Sequence, residues 1–150
     1  MTGADVVAEA RTWLGTRFHH QGSLKGAGCD CVGLVLGVGK ALGIYPQDLQ
    51  ARGEFAPFVG YARRPSGGLL ESGCTRFALP IPAASAQPGD VLLFRFEAAP
   101  THVGIIGDYP GGGHSIIHAY LPARKVIETR LDATWAARVT AAFRLPGVTA

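Results

Sequence analysis

The sequence is poor in cysteine, in charge and in long apolar runs, and each scarcity excludes something. Its 150 residues hold three cysteines, Cys29, Cys31 and Cys74. That number is odd and too small for the disulfide framework of a small secreted domain, so at least one thiol is expected to be free. No apolar stretch approaches the roughly 18 residues that cross a bilayer, and the longest, Cys31 to Gly39, stops at Lys40. A membrane span is therefore not expected. The first residues carry Asp5 and Glu9 where a secretory signal needs a basic start and an apolar stretch. The expectation is synthesis in the cytoplasm without a signal peptide. Charged residues make up 17% of the chain, and the net charge of +3 comes without a lysine or arginine cluster, so no nucleic-acid partner is expected. What remains is 47% apolar, with 21 glycines and 10 prolines. That composition describes one loop-rich globular domain over residues 1–150.

Thr2 can cap a helix whose apolar positions Val6, Ala10, Trp13 and Leu14 recur at helical spacing, with Gly15 as its stop. From Thr16 to Gly28 the chain is polar, contains His19 and His20, and reads as a loop. Cys31 to Leu42 is small or apolar throughout, with Asp30 as cap and Gly43 as stop, which predicts a buried helix closely packed at Gly33, Gly37 and Gly39. Tyr45 to Ala86, interrupted by five prolines, reads as connections with a short helix near Gln47 to Arg52. After Pro88-Gly89-Asp90 come β-rich runs at Val91 to Phe96, His102 to Ile106, Ser115 to His118, Val126 to Thr129 and Ala141 to Leu145. Helices followed by strands predict an α+β domain, its helices packed on a small antiparallel meander.

Cys31 falls in the first turn of the second helix, where unpaired N–H groups and the macrodipole favour an anion. Cysteine attacks as the thiolate, so the position suits a nucleophile, although a free cysteine is more often a small buried hydrophobe. A histidine able to meet the thiol raises the interest. His102 opens an apolar strand after a polar turn and His118 ends the next one. Antiparallel pairing can set two such rings side by side, one to take the thiol proton and one to hold the first in the right tautomer. Cys29 with His19 and His20 makes a poor zinc site, since no second cysteine pair stands at metal-ligand spacing. Asp30 reads as a helix cap, Cys29 as a packed thiol, and Trp13 and Trp135 as packing residues.

Four ordered blocks resemble the NlpC-type cell-wall cysteine peptidases. They are Gly28-Cys29-Asp30-Cys31-Val32-Gly33-Leu34-Val35, Gln87-Pro88-Gly89-Asp90-Val91-Leu92-Leu93-Phe94, His102-Val103-Gly104-Ile105 and Ile116-Ile117-His118-Ala119. The resemblance runs from about Val6 to about Leu145. It implies a papain-like α+β fold and cleavage of peptidoglycan stem peptides, typically between γ-D-glutamyl and diaminopimelate. It also implies Cys31 as nucleophile, His102 as general base and then acid, and His118 as the residue that orients His102, with no metal or cofactor. The loop from Thr16 to Gly28 is similar to the branch associated with phage tails and gene transfer particles. That branch implies phage-like tail or baseplate hub proteins as partners and action in the periplasm of a target cell.

Two departures stand out. Many members have a tyrosine where this chain has Phe18, so Phe18, His20 and Gln21 become the candidate substrate contacts. The interval from His102 to His118 is long because Tyr109-Pro-Gly-Gly-Gly-His114 extends the turn, and His114 competes for the third role. His118 is preferred because it sits in a β-branched strand segment, whereas His114 follows three glycines. Two other functions stay open: a tail component with little hydrolytic activity, and an amidase using the same three residues.

Overall fold

The computed structural model describes residues 1–49, 73–96 and 100–150. Helix α1 spans Gly3–Arg11. Its start is held by the Asp5 carboxylate, which accepts from the Thr2 N–H at 2.7 Å and the Thr2 hydroxyl at 3.0 Å. The chain continues in turns through Trp13 to Gly15, whose φ of +85° ends the helical run as expected. Helix α2 spans Cys31–Ala41, and Asp30 Oδ1 accepts from the Gly33 N–H at 2.8 Å to cap it. Apolar residues surround α2 on most sides, so it lies inside the core. Its glycines permit that. A Cβ on Gly33 would stand 1.8 Å from the Gly22 carbonyl oxygen, and one on Gly37 would strike the Trp13 ring at 2.2 Å.

The expected loop before α2 is partly ordered as a ladder. Strands β1 (Ser23–Leu24) and β2 (Gly28–Cys29) pair antiparallel, and residues 17–19 run beside β2, with Cys29 bonded to both Arg17 and His19. Residues 73–77 are helical (α3). The short helix expected near Gln47 to Arg52 lies partly outside the described residues, and 47–49 form a turn.

The main sheet contains β3 (Leu79–Ile81), β4 (Val91–Arg95), β5 (Pro100–Asp108), β6 (His114–Tyr120), β7 (Lys125–Arg130) and β8 (Val139–Arg144), in the order β3-β8-β4-β5-β6-β7. Every pairing is antiparallel. The α+β expectation holds, with two differences. β8 does not extend the meander past β7 but returns to pair with β4. β3 lies in the proline-interrupted stretch expected to be connections; it is an edge strand, where Pro80, lacking an N–H, is tolerated. One further helical turn, α4 (Ala133–Ala136), follows β7 and is capped by Asp132, which accepts from the Trp135 N–H at 3.0 Å.

The two sheet faces bury different sets. Val91, Leu93, Val103, Ile105, Ile117 and Ala119 pack against α1 and α2. Leu92, Phe94, Ile106, Ile116 and Ala142 pack on the other side with Phe96 and Trp135. No helix among the described residues is long and apolar enough to cross a membrane.

Candidate active site

The register of β4 against β5 sets Phe94 opposite His102. Directly opposed residues share a face, so the His102 ring stands with Phe94 on the side away from α2. His118, two residues beyond Ile116, projects to the same side. Regular pairing of β5 with β6 ends at Ile105 and Ile117. Beyond that point the strands are joined through their side chains: His102 Nε2 lies 2.7 Å from His118 Nδ1, one donating to the other. The second His118 nitrogen, Nε2, lies 2.9 Å from Thr129 Oγ1 on β7.

An aromatic shell encloses the pair. Trp135 meets His118 edge-on at 5.0 Å between ring centres, Tyr120 stacks on His118 at 5.0 Å, and Phe94 and Phe96 flank His102 at 5.9 and 5.7 Å. His118 is 0% exposed and His102 6%. Burial disfavours the charged imidazolium. It holds His102 well below its ordinary value, with His118 adding a smaller push in the same direction. Burial also brings His118 down to about 4. Both rings are therefore neutral at pH 7.

Cys31 approaches from the helix side and is 6% exposed. The N–H groups of Val103 and Val32 are directed at its sulfur, so the thiol touches β5 one residue past His102. The His102 ring is not among its hydrogen-bond partners. The expected stabilisation of a thiolate at the helix start is not what prevails. Burial, reinforced by the Asp30 carboxylate, pushes the thiol up to about 12 against the opposing pull of those two N–H groups. The resting cysteine is protonated.

Asp30 is a cap as expected, and its second oxygen accepts from the Gln21 N–H at 2.7 Å, tying the preceding loop to α2. Gln21 makes that bond from a left-handed backbone, φ +61°. Phe18 packs against the α1/α2 core and, with Arg17, His19, His20, Leu121 and Arg124, lines an open groove of about 450 Å³. This groove lies between the segment that leads into Cys31 and the one that follows His118. Neither Arg17 nor Arg124 has a carboxylate partner among the described residues.

His114 opens β6 opposite Asp108, four residues from His118, and the bond to His102 is made by His118. Cys29 is fully buried and its thiol is raised to about 12 by burial. Among the described residues no disulfide involves Cys29 or Cys31, and no group of three or more His, Cys, Asp or Glu could hold a metal ion. Sequence reasoning missed Thr129 and the covering role of Trp135. The sequence marked Trp135 only as a packing residue, which says nothing about what the indole covers.

The model of the NlpC/P60 family matches residues 15–144. No curated protein matches the chain. Three solved structures are similar to it. The NlpC/p60 domain of the peptidoglycan hydrolase SagA is 28% identical with a TM-score of 0.57, the match covering 97% of this chain and 100% of that one. An NlpC/P60 family protein from Bacillus cereus is 21% identical with a TM-score of 0.65, covering 97% of this chain and 40% of that one. An N-acetylmuramoyl-L-alanine amidase from Bacteroides uniformis is 12% identical with a TM-score of 0.59, covering 95% and 98%.

Proposed function

The chain belongs to the NlpC/P60 family, and from that premise we propose that it is a peptidoglycan hydrolase acting through Cys31, His102 and His118 as a cysteine endopeptidase on stem peptides. The observation that carries the reading is the 2.7 Å bond between His102 Nε2 and His118 Nδ1, beside a strand residue whose N–H meets the Cys31 sulfur. It leaves His102 Nδ1 unused by His118, and the reading requires that nitrogen to meet the Cys31 thiol where regular pairing of β5 with β6 has ended. Because thiol and ring both rest neutral, proton transfer accompanies attack. Sulfur bonds to the scissile carbonyl carbon while its proton passes to His102. The carbon–nitrogen bond then breaks, His102 protonates the departing amine, and water, deprotonated by the same ring, hydrolyses the thioester. The Cys31 N–H, in the first turn of α2 where no intrahelical acceptor exists, serves the oxyanion.

Peptide on the substrate side extends along the groove at Phe18 and His20, with Gln21 adjoining it; the bond cut is that between γ-D-glutamyl and diaminopimelate. The test is digestion of purified sacculi by wild type and by Cys31→Ala, followed by fragment masses. Wild type releases stem-peptide fragments ending at that bond and the variant releases none. Cleavage that survives in Cys31→Ala refutes the nucleophile. Masses cut at the glycan-to-peptide junction would make the enzyme an amidase.

A second reading, a tail component of little hydrolytic activity, draws on the protonated resting thiol and on Phe18 in place of tyrosine. Sacculi left intact by wild type would decide for it. The phage-like tail branch, with tail or baseplate hub partners and action in a target cell's periplasm, rests on the resemblance of the loop from Thr16 to Gly28 alone. Co-purification with intact tail particles is its test.

A further inference from the structure

We propose that Thr129 is a positioning residue that selects the tautomer of His118 and, through it, the direction of the His102–His118 hydrogen bond. The inference rests on the reading of His102 as the base, and it follows from where hydrogens can sit. To take the thiol proton, His102 must present an unprotonated Nδ1, so its own hydrogen is on Nε2. That nitrogen is 2.7 Å from His118 Nδ1, which must therefore accept. A neutral His118 then carries its hydrogen on Nε2, and the atom facing it at 2.9 Å is Thr129 Oγ1. A hydroxyl can accept there without adding charge. A carboxylate in its place would draw His118 toward the imidazolium, whose Nδ1–H would oppose the N–H of His102.

If Thr129 donated instead, the chain would run backwards. His118 would hold its hydrogen on Nδ1 and give it to His102 Nε2, and His102 Nδ1 would be protonated and useless as a base. Water cannot supply an alternative acceptor, because His118 is wholly buried under Trp135 and Tyr120. The register places the threonine where it is needed. Ile116 opposes Thr129 and His118 opposes Ile127, so Thr129 stands diagonally across from His118 on the same face. A β-branched side chain is also stiff about χ1, which fixes the position of the hydroxyl oxygen.

The test compares Thr129→Val, which keeps shape and removes the hydroxyl, with Thr129→Ser, which restores it. Steady-state cleavage of a stem peptide is measured together with the 15N imidazole shifts of His118. Thr129→Val is expected to lower kcat about 10- to 100-fold while KM stays within about twofold, and Thr129→Ser to recover wild-type kcat within about threefold. Wild-type His118 should show protonated Nε2, moving toward protonated Nδ1 in Thr129→Val. Wild-type kcat in Thr129→Val, or Thr129→Ser falling as far as Thr129→Val, overturns the proposal. So does a wild-type His118 protonated on Nδ1, a readout that stands even where Thr129→Val does not fold. Wild type that cuts no stem peptide defeats the hydrolase reading instead, and the His118 tautomer still decides the role of Thr129.

Discussion

At Cys31 two physical effects oppose each other. A helix start contributes about 0.3–1 kcal/mol toward an anion, and up to about 2 in favourable partly buried geometry. Full burial opposes the anion by several times as much. With Cys31 only 6% exposed, burial wins and pushes the thiol up to about 12. The histidines follow the same rule in the other direction, because burial there favours the neutral base. In the proposed mechanism His102 works as a base only when unprotonated, and burial holds it well below 6.5. The acid limb of kcat/KM is therefore expected well below pH 6.5, with no rise between pH 7 and 9 from thiol ionisation. A profile of kcat/KM from pH 4 to 9 checks this, and a limb centred at 6.5 or above contradicts it. Residue types and order pointed to Cys31, His102 and His118 from the sequence. Thr129 was not legible, because its importance lies in one contact across β6 and β7 and threonine is ordinary in strands.

Among the elements, the segment at residues 17–20 forms one wall of the groove proposed to take substrate. It is held to β2 through Cys29 and to the start of β7, where the Phe18 N–H donates to the Arg124 carbonyl at 2.9 Å and the Val126 N–H to the Thr16 carbonyl at 2.8 Å. Those bonds set Arg17 and Arg124 on one groove as exposed cations. A stem peptide carrying free carboxylates complements that charge. The double variant Arg17→Ala, Arg124→Ala is expected to raise KM about tenfold for a carboxylate-bearing peptide, leaving kcat and the KM of the amidated peptide unchanged. Equal losses on both peptides would refute the assignment. α1, α2 and the strands from β4 to β7 were readable because period, caps and turn residues agree locally. β3 was not, since Pro80 argues against a strand until the strand is known to lie at an edge. Arg17 and Arg124 could not be paired from sequence, as nothing local brings residue 17 to residue 124.

Across the whole molecule, the Gln87-Pro88-Gly89-Asp90 block proves structural. Asp90 is buried, accepts from the Gln87 N–H at 2.8 Å, and takes Nε and a terminal nitrogen of Arg144 at 2.8 Å each. That fork fastens the turn before β4 to the end of β8. Asp90→Ala should therefore lower the denaturant midpoint, because it removes the buried carboxylate that accepts from the Gln87 N–H and holds Arg144. A loss below about 0.5 kcal/mol would show the pair to be dispensable. From sequence alone came the fold class, the capped helix bearing the thiol and the two candidate imidazoles, since each depends on residues close along the chain or on the order of motifs. Tertiary structure decided the rest: which histidine meets His102, the hydroxyl behind it, the tryptophan over it and the protonation of the thiol. Those depend on strand register and on the exclusion of water, which arise only when distant segments pack.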